Sequence, residues 1–155
     1  MRRREFIGLL GGAAVWPLAS VRAQQPAGRV RRIGLLLGSA ATDPQAQLNV
    51  AAFIKALEEL GWKDNVRIDI RWAAAQSAGA QASARELVDL ASDVIVVGGG
   101  GTTMAVSDQT RTTPIVFVGF TDPVAGGFVE SLARPGRNMT GFTSIEFSVG
   151  GKWLE

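Results

Sequence analysis

The chain has 155 residues, 46% of them hydrophobic and 19% charged, a balance that fits one compact domain and excludes disorder and fibrous repeats. His, Cys and Tyr are all absent, which removes Ser-His-Asp and Cys-His nucleophiles, His or Cys zinc sites, disulfides and a lipid-modified cysteine. Sixteen basic side chains against 14 acidic ones give a net charge of +2, and what that implies about partners depends on where the charges lie.

The first 23 residues read as an export signal. Arg2, Arg3 and Arg4 precede an apolar run from Ile7 to Ala19, and Val21-Arg22-Ala23 places small residues three and one positions before a cut after Ala23. That run spans only ~20 Å as a helix, short of a ~30 Å hydrocarbon core, so a permanent membrane helix is the weaker reading. Arg3, Arg4, Phe6 and the following Ile7 resemble the twin-arginine export motif, with an ordinary secretory signal as the alternative. Without residues 1–23 the chain carries 12 basic and 13 acidic side chains. The positive balance therefore belongs to the targeting segment, and no clustered positive face remains for a nucleic-acid partner. The expected location is a Gram-negative periplasm.

Beyond the signal, strands and helices alternate. Arg32 to Gly38 is a short apolar run suited to a strand buried on both faces. Asp43-Pro44 supplies an N-cap and a first helical residue, followed by Ala46, Val50, Phe53, Leu57 and Leu60 at helical spacing, with Gly61 as C-cap. Val66 to Trp72 alternates apolar and polar residues as an edge strand does. The spacing then predicts a helix over Gly79 to Ala91, a strand over Asp93 to Val97, and a short helix from Thr102 to about Gln109. A fourth strand follows over Pro114 to Val118, then a short helix over Val124 to Leu132 stopped by Pro135-Gly136, and a fifth strand over Met139 to Phe142.

Strands separated by single helices, with wholly apolar central runs, imply a doubly wound α/β fold with a mostly parallel sheet and helices on both faces. The flavodoxin-like order 2-1-3-4-5 is the natural expectation. The topology then reverses between strands one and three, so the loops Ser39 to Pro44 and Gly98 to Thr103 open a crevice at the carboxyl edge, with Thr121 to Gly127 as its neighbouring wall.

Two loop motifs bear on a ligand. Gly98 to Gly101 followed by Thr102-Thr103 joins a buried strand to a helix, where unhindered N–H groups and the helix dipole favour an anion such as a carboxylate. The same glycines serve equally for a tight turn and close helix packing, and Thr102 for an N-cap. The segment lacks the Lys-Ser/Thr ending of a phosphate loop, and the first strand is not followed by GxGxxG, so nucleotides are disfavoured. Thr121-Asp122-Pro123 offers Asp122 as an N-cap or as an acceptor for a ligand amine. Trp72 suits ring stacking or rim packing. No pair of acids is placed for acid-base catalysis, and no metal site is indicated.

The signal MRRREFIGLLGGAAVWPLA, the strand RIGLLLGSA, the block TPIVFVGFTDPVAGGFVESLARPGRNMTGFT and the trailing GGKWLE resemble the amino-terminal half of ABC-transporter substrate-binding proteins of the tryptophan/tyrosine-uptake type. The resemblance covers essentially the whole chain and is most specific over Thr121 to Gly141. It implies one α/β lobe of a type I periplasmic binding protein over residues 24–145, with 146–155 starting the crossover to a second lobe that the chain lacks. It further implies a non-enzymatic receptor without cofactor, whose small solute, in some members an aromatic amino acid, binds between lobes and is handed to an inner-membrane ABC permease. The family's solute loops fall at Ser39 and Ala40, at Gly101, Thr102 and Thr103, and at Thr121 and Asp122. Where relatives often carry a Thr-Pro-Ala type turn after strand three, this chain has four glycines and two threonines, so solute identity does not transfer. A ligand-presenting sensor lobe and a secreted α/β enzyme are the alternative readings.

Overall fold

In the computed structural model, which describes residues 29–144, the first strand lies inside the sheet, next to its edge strand. Strand β1 (Arg31–Leu37) pairs in parallel with β2 (Val66–Trp72) on one side and β3 (Val94–Gly98) on the other. β4 (Ile115–Phe120) and β5 (Met139–Thr143) extend the same sheet, so five parallel strands stand in the order 2-1-3-4-5, as the apolar pattern predicts. The apolar run of β1 belongs in a central position, and the charged, alternating run of β2 blunts an edge.

Three helices make the crossovers: α1 (Pro44–Glu59), α2 (Ala78–Asp89) and α3 (Gly100–Gln109). At the start of α1 the Asp43 carboxylate accepts the N–H groups of Gln45 (2.9 Å) and Ala46 (3.3 Å), and Pro44 occupies the first turn. The helix ends where Gly61 takes φ +87°, with Gly61 N–H donating to Glu58 O and Trp62 N–H to Leu57 O, the paired bonds of a Schellman cap. Ser77 caps α2 by accepting the Ala80 N–H at 3.1 Å. α3 starts two residues earlier than the threonines suggest, because Gly99 at φ +96° already turns the chain into it.

The expected helix over Val124 to Leu132 is not formed. Gly126 N–H donates to Asp122 O, and then Gly127, at φ +70°, donates to Val124 O while Phe128 donates to Pro123 O. These bonds close a cap after a single turn, so the rest of the β4–β5 crossover runs through turns and extended chain.

The first strand is buried on both faces, as its apolar run predicts, with Leu35 and Leu36 both buried, but toward β5 the two faces of the sheet are covered unequally. On one face Leu36, Ile95, Val97, Ile115 and Phe117 are fully buried against Ala80, Ala84 and Leu87 of α2 and Ala105 and Val106 of α3. β5 fits there because Gly141 has no side chain where a Cβ would meet the Phe117 carbonyl and ring. On the other face α1 covers Leu35, but exposure climbs outward: Val96 and Val116 are half-buried, Val118 is 47% exposed and Phe142, its register partner, 72%. The β4–β5 crossover contributes no helix to that side, so among the described residues nothing shields the outer half.

Candidate functional site

Parallel strands send all their following loops to one edge, and the crevice opens where those loops diverge. Leu37, Gly38 and Ser39 from the end of β1 stand opposite Gly98 and Gly99 from the end of β3. Ala46 and Asn49 of α1 and Ala75 of the loop after β2 complete a hollow of about 310 Å³. A second, apolar hollow of about 340 Å³ adjoins it between α1 and the sheet, walled by Leu35, Val50, Phe53, Val96 and Val118. The two share Leu37, Asn49 and Gly98.

Of the residues singled out from sequence, Ser39 lines this hollow, whereas the neighbouring Ala40 does not and instead accepts the Asp43 N–H at 3.0 Å. Gly101 is packed against Ala75 and Gln76: a Cβ there would lie 2.7 Å from the Ala75 Cβ. Thr102 and Thr103 are fully buried. The Thr102 hydroxyl donates to Gly98 O (2.8 Å) and approaches Gly99 O (2.9 Å), while Thr103 donates to Gly99 O at 2.7 Å. Both hydroxyls thus stitch the first turn of α3 to the end of β3, and what this turn can offer a solute is backbone N–H. The first-turn N–H groups of a helix have no intrahelical acceptor, which here means Gly100, Gly101 and Thr102, ahead of Thr103 N–H donating to Gly99 O.

Thr121 is exposed beyond β4, and the Asp122 carboxylate accepts the Ala125 N–H at 2.9 Å, capping the single turn that follows. Neither lines the hollow; the end of β4 meets the start of α3 instead, with the Phe120 ring in ordinary contact with the position a Gly100 Cβ would take. Trp72 is half-buried in the β2 edge, in register with Leu37, and also lies off the hollow. Asn49, Ala46 and Ala75 are the lining residues that sequence reasoning passed over. The helical period places Ala46 and Asn49 three residues apart on one face, but the apolar stripe through Ala46, Val50 and Phe53 on that helix signals packing rather than a ligand.

No ionisable side chain lines the 310 Å³ hollow. Charge gathers at the opposite, amino edge of the sheet. Asp93 accepts the Arg32 N–H at 2.9 Å and Arg31 Nη1 at 3.0 Å, with Arg29 Nη2 at 3.1 Å, and the backbone N–H foremost, then the guanidinium groups, hold its carboxyl below the usual carboxylate range. Arg32 also approaches Asp69 Oδ2 at 3.2 Å, an ion pair without a directed hydrogen bond, and donates to Leu90 O at 2.7 Å. Among the described residues no group of three His, Cys, Asp or Glu side chains could hold a metal ion, and no helix is long and apolar enough to cross a membrane. The crevice is therefore a neutral, small-residue site whose side chains supply one hydroxyl and one carboxamide, with the first turn of α3 following directly on its Gly98–Gly99 wall.

Residues 40–148 match the ABC transporter substrate binding protein family. The chain belongs to this family. Over 91 residues it is 37% identical to the tyrosine-binding protein of Clostridioides difficile, which covers 57% of this chain and 26% of that protein. Among solved structures it resembles the ABC domain of Streptococcus pneumoniae in complex with L-Trp, with 25% identity, a TM-score of 0.66, and 73% of this chain matched to 38% of that one. It also resembles the ligand-free, open structure of a substrate binding protein with adhesive properties from Clostridium difficile, at 28% identity and a TM-score of 0.69, covering 81% of this chain and 43% of that one. The chain thus spans about a quarter of the curated relative and about two fifths of these solved ones. Substrate-binding proteins of this family are solute receptors, and the all-parallel 2-1-3-4-5 sheet is the fold of the periplasmic binding proteins they resemble. The signal residues Arg3, Arg4, Phe6 and Ala23, and the stretch 146–155 expected to start a crossover, lie outside the described residues.

Proposed function

We propose that this chain forms the amino-terminal lobe of an exported receptor that hands a small solute to an ABC permease, and that the solute seats in the crevice between the β1 and β3 loops. The observation that carries the reading is the hollow itself: it sits at the switch point of the parallel sheet, where open α/β folds bind ligands. The relatives bound to L-Trp or named for tyrosine make a zwitterionic amino acid with an apolar side chain the solute class to test first. In this lobe the first-turn amides of α3 would receive its carboxylate. Ser39 would contribute a hydroxyl, and Thr102 and Thr103 would act through the geometry of the turn that their hydroxyls fix. Thr121 and Asp122 would border the solute from the β4 side, and Ala40 would shape the mouth of the β1 loop. Arg3, Arg4, Phe6 and Ala23 would direct export and cleavage.

A receptor with ~1 μM affinity gains about 8 kcal/mol from both lobes, so a lobe supplying half the contacts should bind at ~1 mM. Titrating ¹⁵N-labelled chain with L-tryptophan while following backbone amides tests this. The expected result is shifts concentrated at Gly38, Ser39 and Gly98 to Gly101 with millimolar affinity. Shifts elsewhere, or none with any amino acid, would overturn it, and micromolar binding would contradict the half-site account.

A further inference from the structure

Only two side chains lining the crevice carry polar groups, the Ser39 hydroxyl and the Asn49 carboxamide. Ser39 sits on a loop, whereas Asn49 is fixed on the second turn of α1, a helix anchored by the Asp43 cap and by buried Val50. Gln45 Nε2 donates to Asn49 Oδ1 at 3.1 Å, which steadies the carboxamide and leaves an Oδ1 lone pair and the Nδ2 hydrogens facing solvent. Asn49 also stands where the crevice joins the apolar hollow, since it lines both together with Leu37 and Gly98. A solute whose head meets the backbone amides of α3 and whose body lies along Leu37 toward the apolar walls must pass Asn49.

We infer that Asn49 is the specificity-determining residue of this lobe. It selects solutes whose apolar body carries one neutral hydrogen-bonding group, such as an indole N–H or a phenolic hydroxyl, over those with a bare phenyl ring. The assignment rests on the crevice being the solute seat. A ligand of the bare-ring kind would strip water from the carboxamide without replacing its hydrogen bond, and that asymmetry is the source of discrimination.

The test compares L-tryptophan and L-phenylalanine titrations of ¹⁵N-labelled wild-type chain with those of Asn49→Leu and Asn49→Asp, whose backbone spectra report that each is folded. Wild type should favour tryptophan roughly three- to tenfold, the worth of one neutral hydrogen bond. The Asn49 side-chain amide signals, identified by their loss in Asn49→Leu, should move further with tryptophan, which adds a hydrogen bond to the carboxamide, than with phenylalanine, which adds only its ring current. Asn49→Leu should erase the preference with phenylalanine binding retained, and Asn49→Asp, which keeps an acceptor, should preserve it. Crevice amides that shift with both amino acids while the ratio stays the same in Asn49→Leu would overturn the role of Asn49 and leave the seat standing. Crevice amides that respond to neither would overturn both.

Discussion

Gly101 and Ala75 are pressed together where the first turn of α3 meets the loop after β2: a Cβ on Gly101 would stand 2.7 Å from the Ala75 Cβ and 3.1 Å from the Gln76 nitrogen. Neither neighbour is the tip of a flexible side chain, so Gly101→Ala must displace backbone at the crevice rim. Overpacking of this kind costs about 1–3 kcal/mol, offset in part by the ~0.5–1 kcal/mol that alanine gains over glycine in a helix. At Gly100 the same added methyl meets only the Phe120 ring at 3.6 Å, an ordinary contact. Urea unfolding should therefore show Gly101→Ala destabilised by about 1–2 kcal/mol and Gly100→Ala unchanged or slightly stabilised. Equal shifts in the two variants would remove the packing account of Gly101.

The Asp122 carboxylate holds the Ala125 N–H at 2.9 Å and so starts the single turn that Gly127 ends. Asp122→Ala should lose about 1 kcal/mol, as N-cap truncations do, while Asp122→Asn, which can still accept that bond, should lose only a few tenths. Amide hydrogen exchange should quicken over residues 123–128 in the alanine variant alone. If the two variants exchange alike, the carboxylate is not holding the turn.

How much of this could be read from sequence depends on whether the cause is local. Asp43-Pro44 and Gly61 announce the ends of α1 because capping is written in consecutive residues, and strand order follows from apolar runs alternating with helices. The Val124 to Leu132 helix is misread because Val124, Phe128 and Leu132 keep helical spacing while Gly127 flips the chain to positive φ among them. The uneven sheet was invisible for a different reason. Val116, Phe117 and Val118 are equally apolar, so pattern alone cannot say that Phe117 is 1% exposed and Val118 47%. Beside the crevice, a threonine at a helix start suits a back-bond to the preceding strand as well as a ligand contact, and in the fold Thr102 and Thr103 make the former.

Asp93 ties the amino edge together through Arg29, Arg31 and the Arg32 backbone, and its carboxyl is held below its ordinary value near 3.8. A depressed folded-state pKa stabilises the protein in full above the unfolded value and loses that contribution as pH falls through the folded one. The stability gap between wild type and Asp93→Asn should therefore be constant from neutral pH down to about pH 5, then shrink below pH 4 as the wild-type carboxylate takes up its proton. Thermal melts across this range measure it. A gap that widened on acidification would reverse the sign and exclude Asp93 as the ionised anchor of this edge.

Val97 and Val118 are chemically identical and sit on adjacent strands, yet Val97 is fully buried and Val118 is 47% exposed, on opposite faces of the sheet. Removing two methyl groups from Val97 forfeits about 1.6 kcal/mol of transfer free energy, plus a cavity term that brings the cost to roughly 2–3 kcal/mol. At Val118 about half of that surface already meets water and no cavity forms, so Val118→Ala should cost under about 1 kcal/mol. Chemical denaturation of both variants at micromolar concentration gives the comparison directly. Comparable losses would mean that the outer half of the α1 face is covered in solution. A concentration dependence of the Val118→Ala midpoint would then identify the cover as a second copy of the chain, because only association makes stability depend on protein concentration.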